Sequence, residues 1–225
     1  MKFKKKISGI IVTAVVYGSV PALSIAASVV GSKHDLASST RTETCAFCHT
    51  PHFAASAMTA PLWNKNIASA ERTFMMYTSA TIGTSVPARP SGISLACLSC
   101  HDGVSPDVHS VINQPGSGLG TGTYAGSCGK CHTSHGSMGQ SLISPLLKLG
   151  PDLRNDHPIS MTYPTAQQDP GFFVPPNLQK GWADVPLYSG KVECPSCHNV
   201  HDPSQTPFLR ISNSGSALCY KCHNK

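Results

Sequence analysis

The sequence predicts an irregular fold, mostly coil with short α-helices and little strand, wrapped around non-protein groups that stand in for a full apolar core. Three observations predict it. Leu, Ile, Val and Phe supply less than a fifth of the residues from position 27 onward, a level at which a chain struggles to bury enough apolar surface to offset its conformational entropy. Glycine (19 residues) and proline (18) interrupt any sustained periodicity. All ten cysteines fall into one repeated five-residue unit. Charged residues make up only 12% of the chain against the usual figure of about 25%. A chain short of core but not self-repelling points to a cofactor that completes the core.

Residues 2–6 (Lys-Phe-Lys-Lys-Lys) form a basic head, and an uncharged, mostly apolar run from Ile7 to Gly31 follows it. With the small residues around Ser24-Ile25-Ala26-Ala27, this pattern predicts a signal peptide over 1–26, cleaved after Ala26, and a single domain over 27–225. The competing reading is a retained membrane anchor, since the run is long enough to span a bilayer at about 20 residues. Pro21, Gly9 and Gly18 make it a poor membrane helix. Of the formal net charge of +6, four charges are Lys2, Lys4, Lys5 and Lys6, so the processed chain carries 13 basic and 11 acidic side chains. No basic stripe is left to neutralise phosphates, which excludes a nucleic-acid binder.

The five repeated units are Cys45–His49, Cys97–His101, Cys128–His132, Cys194–His198 and Cys219–His223, each reading Cys-x-x-Cys-His. This is the attachment sequence for c-type haem. The paired thiols (Cys45 and Cys48, Cys97 and Cys100, Cys128 and Cys131, Cys194 and Cys197, Cys219 and Cys222) add across the two haem vinyl groups. The trailing His49, His101, His132, His198 and His223 then ligate iron as proximal ligands. Structural zinc gives no reason for an unvarying histidine and pairs badly with an odd number of units. Disulfide frameworks show varied spacings, and a thioredoxin-like centre needs one motif, not five. The implied cofactor load is five haem c.

Six histidines remain as candidates for the sixth coordination position: His34, His52, His109, His135, His157 and His201. His52, His135 and His201 each stand three residues after a proximal histidine. Axial imidazoles lie on opposite faces of a wide macrocycle, and two intervening residues cannot carry the chain around it. A histidine at this spacing therefore serves a neighbouring haem and draws two haems together. His157 precedes Pro158 and is expected in extended backbone. With histidine in sufficient supply, Met58, Met75, Met76, Met138 and Met161 are expected to pack rather than ligate. Bis-histidine iron is low-spin and keeps no site for substrate, so no catalytic residue is assigned.

Short helices are expected around Trp63–Tyr77, near Leu142–Leu149 and over Ser216–His223. The Gly/Ser-rich stretch Pro115–Ser127 and the Pro-rich stretch Pro158–Pro186 are expected to be irregular. Phe47, Phe53, Leu98 and Tyr220 are expected to pack on porphyrin faces.

The chain resembles the small multihaem c-type cytochromes with doubled Cys-x-x-Cys-His motifs found in metal-respiring bacteria. The resemblance is carried by Lys33-His34-Asp35-Leu36, by Cys45–His52 with Pro61-Leu62-Trp63-Asn64, and by Ala96–Gly103. Asn155-Asp156-His157-Pro158-Ile159, Cys194–His201, Phe208-Leu209-Arg210 and Leu218–His223 continue it. It implies a cytochrome fold wrapped around a haem array, with the matching histidines as iron ligands and electron transport to extracellular or periplasmic acceptors. Some relatives polymerise into extracellular conducting filaments. A homopolymer would follow here if His34, near the free N-terminus, reached a haem of the next subunit. The partners are then redox proteins or extracellular acceptors, and a membrane only if the N-terminal segment stays. Two other classes are separable: a membrane-anchored quinol dehydrogenase retains residues 7–31, and a multihaem reductase, for nitrite for example, needs one haem with an open position.

Overall fold

The computed structural model describes residues 28–37, 43–52, 54–55, 59–64, 73–102 and 149–224. The segment 1–26, the third unit (Cys128, Cys131, His132), His109 and His135 lie outside the described residues, as do Phe53, Met58, Met138 and nearly all of the expected Leu142–Leu149 helix.

Turns and bends dominate the described residues. A 3-10 turn covers Thr44–Phe47, and helix α1 covers Gly92–His101. Strands β1 (Met161–Thr162) and β2 (Lys191–Val192) pair antiparallel, with Met161 opposite Val192 and Thr162 opposite Lys191. Helix α2 is the single turn Cys194–Cys197. A second 3-10 turn, Ser214–Ser216, leads into α3, Ala217–Tyr220. No described helix is long and apolar enough to cross a membrane.

Two of the sequence expectations need correction. The described parts of Trp63–Tyr77 are extended, not helical: Trp63 bridges His49 and Met75 bridges Asp152. The longest described helix is instead α1, which ends in the second attachment unit. Its sequence, Gly-Ile-Ser-Leu-Ala-Cys-Leu-Ser-Cys-His, lacks a charged face, so it carries no amphipathic signature. It forms because both sides are covered: Ser94, Leu95, Ala96, Leu98 and Ser99 are all buried.

The second correction concerns the core. Leu98, fully buried, packs with Ala55, Phe74, Leu95 and Leu153, and Trp63, Met76 and Ile159 lie against this cluster. Leu98 therefore belongs to a small protein core. Phe47 is buried, whereas Tyr220 is 55% exposed. Met75 is exposed.

The Pro-rich stretch is ordered by turns. At Gly181 the backbone has a φ of +74°, and an added Cβ would sit 2.5 Å from the Leu187 nitrogen and 2.8 Å from the Val185 carbonyl oxygen. Only glycine fits this close crossing. Val185, Leu187 and Tyr163 are each buried, and Tyr163 stacks edge-on to Phe172 and Trp182.

Candidate haem-binding site

Each described unit starts on one helical turn, which sets its two cysteines three residues apart on one side of the turn. In three units the turn closes on the first cysteine. The backbone N–H of His49 donates to Cys45, His198 to Cys194 and His223 to Cys219, at 2.9, 3.1 and 2.9 Å. In the second unit α1 continues through His101, whose carbonyl accepts from the Leu149 N–H at 2.8 Å.

A remote extended segment then holds each of these three histidines. His49 bridges Trp63, His198 bridges Leu209, and His223 bridges Phe172. Around His49 and His198 the support repeats bond for bond. Thr50 N–H donates to Leu62 and Asn64 N–H to Cys48, at 2.8 and 2.9 Å, while Asn199 N–H donates to Phe208 and Arg210 N–H to Cys197, at 2.7 and 2.9 Å. Leu62 and Phe208 take the same left-handed conformation, with φ of 52° and 62°. The imidazoles are oriented alike as well: Nδ1 of His49 lies 2.6 Å from the Pro61 carbonyl oxygen, and Nδ1 of His198 lies 3.0 Å from that of Pro207. A carbonyl can only accept, so each Nδ1 carries the proton and each Nε2 keeps its lone pair for a metal. Nδ1 of His157 faces the Pro158 carbonyl oxygen in the same way at 3.0 Å.

The histidines meet in pairs, and each pair joins a proximal to a distal candidate. The ring centres of His34 and His101 are 6.0 Å apart, those of His49 and His201 6.2 Å, and those of His157 and His223 6.3 Å. Two imidazoles that each hold one metal through nitrogen at about 2 Å place their ring centres about 6 Å apart, at any mutual rotation. Interplanar angles of 58°, 22° and 68° are therefore all compatible. Among the described residues no three His, Cys, Asp or Glu side chains converge as a metal cage would. Nδ1 of His34 is buried without a hydrogen-bond partner. Burial, reinforced by the neighbouring His101, His198 and His201, lowers the His34 pKa and favours the neutral ring that a metal needs. The residues present fit haem.

The ring of His34 lies beside His101 of its own chain. His201, three residues after His198, lies beside His49 instead. His52 is exposed.

Among the described residues no cysteine is in a disulfide, and the fourth unit stands among three others. Cys97 and Cys194 interact through their side chains, which raises the Cys97 pKa and lowers that of Cys194. Burial, then Cys194 and Cys219, raises the Cys197 pKa. Burial, then Cys197, pushes Cys222 up to about 11. Sequence reading missed this clustering, because the residues that meet are 22 to 97 positions apart and share no local pattern.

Residues 30–133 match the family described as cytochrome c7 and related cytochrome c. Residues 186–225 match the family described as doubled CXXCH motif. The chain is a multihaem c-type cytochrome. Its irregular fold, mostly coil with short helices and one two-strand sheet, agrees with the small haem-wrapped coil fold of the cytochrome c7 family that residues 30–133 match, and it transfers electrons through c-type haems. Comparison with curated proteins finds no match.

Proposed function

We propose that this cytochrome carries five covalently bound bis-histidine haems and passes electrons along a closely spaced array toward redox partner proteins or extracellular or periplasmic acceptors. The single observation that carries the reading is the set of three proximal–distal histidine pairs at 6.0 to 6.3 Å. His34 is then the sixth ligand for the iron of His101, His201 for that of His49, and His157 for that of His223. When bound, haem supplies an iron that cycles between ferric and ferrous by one electron. The chain's own part is to saturate that iron with imidazole, which leaves no position for substrate and makes the protein a carrier, not an enzyme.

The contacts of the fourth unit make it the junction of the array. Its neighbours are the first unit through His201, the second through the Cys194 N–H that donates to Ser94 in α1 at 3.1 Å, and the fifth, whose Cys219 and Cys222 act electrostatically on Cys197. The basic head and apolar run before Ala27 support export to the periplasm, cell surface or exterior.

Mass spectrometry of the purified protein tests the count: a chain starting near Ala27 and heavier by five haems is expected. Low-temperature electron paramagnetic resonance should show low-spin ferric haem only. A colourless protein, a different number of added haems, or a high-spin signal in the native protein overturns the reading.

A further inference from the structure

Glu193 is a buried carboxylate that the ligand set does not use. It is 2% exposed and caps the N-terminus of α2. Its oxygens accept from the Ser91 hydroxyl at 2.6 Å, from the Ser94 hydroxyl, from the Ser160 hydroxyl at 2.8 Å and from the Ser196 backbone N–H. The direction of two of these bonds is fixed from behind. Ser94 Oγ accepts from the Cys194 N–H at 3.1 Å, and Ser160 Oγ accepts from the Ser91 N–H at 2.8 Å, so each hydroxyl proton is left for the carboxylate. Every group that faces Glu193 donates, which is the shell of a carboxylate and not of a carboxylic acid.

The charge is placed where two attachment units meet. Ser91 and Ser94 belong to the N-terminal end of α1, which carries Cys97 and Cys100, and Glu193 directly precedes Cys194. No Lys or Arg among the described residues pairs with it. Arg210 is half-buried and binds the Pro195 carbonyl and the Tyr188 hydroxyl instead. A buried, unpaired charge acts through a low dielectric and is little screened by salt.

We propose that Glu193 is a fixed negative charge that lowers the reduction potentials of the haems on the second and fourth units, Cys97–His101 and Cys194–His198, and makes them the low-potential pair of the array. Reduction adds an electron to each iron, and an anion held beside both units opposes it. Glu193 acts through the haems it faces and ligates neither, so it is a positioning and tuning residue. The inference rests on the haem reading above.

The test is an optical redox titration of the haem-loaded wild type and of Glu193→Gln. Two of the midpoint potentials should rise, each by about tenfold in the one-electron equilibrium constant, or about 59 mV, while the others hold. Glu193→Asp, which keeps the charge, should restore them. Equal movement of all the haems, or none in a fully loaded variant, overturns the proposal. If Glu193→Gln does not load haem, Ser91→Ala and Ser160→Ala carry the test. Each removes one donor that partly offsets the anion, so the same two potentials should fall, and wild-type values in both variants overturn the proposal. Absence of covalent haem from the wild type would instead sink the haem reading, so the two failures are distinguishable.

Discussion

The first and fourth units share a support in which one position differs. Two residues past the carbonyl that orients the histidine stand Trp63 and Leu209, and the residue after each reaches back to the carbonyl that follows the first cysteine. In the first unit that residue is Asn64, fully buried, whose amide Nδ2 donates to Ala46. In the fourth it is Arg210, half-buried, whose Nε donates to Pro195 at 2.6 Å and whose Nη2 donates to the Tyr188 hydroxyl at 3.2 Å. An amide closes the loop without adding charge. A guanidinium closes the same loop, reaches on to the Tyr188 hydroxyl and sets a cation beside α2. The same backbone plan thus serves a first unit closed by a neutral amide and a fourth unit closed by a cation. The first unit is tied onward by the Trp63 indole, which donates to Ser99 in α1 at 3.2 Å, and by His201. The fourth unit touches the first, second and fifth.

The largest expected difference follows from that connectivity. Cys194→Ala with Cys197→Ala should abolish cooperative thermal unfolding, because the packing of three other units loses its common centre. Cys45→Ala with Cys48→Ala should lower the melting temperature and leave a single transition. Circular dichroism melts with a haem count on each variant decide this, and equal damage from the two would break the junction reading.

The support position itself gives the next effect. Asn64→Ala removes a fully buried amide together with its bond to the Ala46 carbonyl and should cost about 1–3 kcal/mol, whereas Arg210→Met removes a half-buried donor and should cost about 1 kcal/mol. Chemical denaturation reads both. The potentials should reverse the order: Arg210→Met lowers that of the fourth haem, and Asn64→Ala leaves that of the first haem in place.

His201→Met separates the two units at their shared ligand. The haem of His49 should move to a higher potential, as Met/His ligation does, while the haem of its own sequence neighbour His198 stays. A shift at His198 instead would show that the pairing is wrong.

The smallest effect lies at the fifth unit, where the Lys221 ammonium donates to Asp184 at 2.8 Å and lowers that carboxyl's pKa. Both partners are partly exposed, so Asp184→Asn should cost less than about 1 kcal/mol. A depressed carboxyl pKa contributes stability that is full above the unfolded value of 3.8 and fades as pH falls through the lower folded value. The wild type and the variant should therefore melt apart at pH 7 and together near pH 2.

How legible the site was in the sequence depends on the range of the contacts that build it. His49, His101, His198 and His223 could be placed from five-residue strings, since a proximal ligand is fixed by the turn that carries it. The irregular fold with little strand followed from composition and from the missing periodicity of Pro158–Pro186. Helix α1 escaped notice because neither of its sides is polar, and the Trp63–Tyr77 pattern misled because Trp63 and Met75 are held by bridges to His49 and Asp152. The repeat of Pro61–Asn64 in Pro207–Arg210 was readable only in part. Its shared feature is a backbone conformation, a positive φ at Leu62 and Phe208, and not a shared side chain.

The sequence by itself determined which cysteine pairs offer thioether attachment to haem and which histidine follows each pair, because those are next-neighbour relations that no distant residue alters. Only the tertiary structure decided that His34 meets His101, that His201 turns away from its own unit toward His49, and that Glu193 is enclosed by serines from three segments. Each of those depends on loops closing between residues tens to more than a hundred positions apart, and the cost of closing a loop grows too slowly with its length for spacing alone to choose the partner.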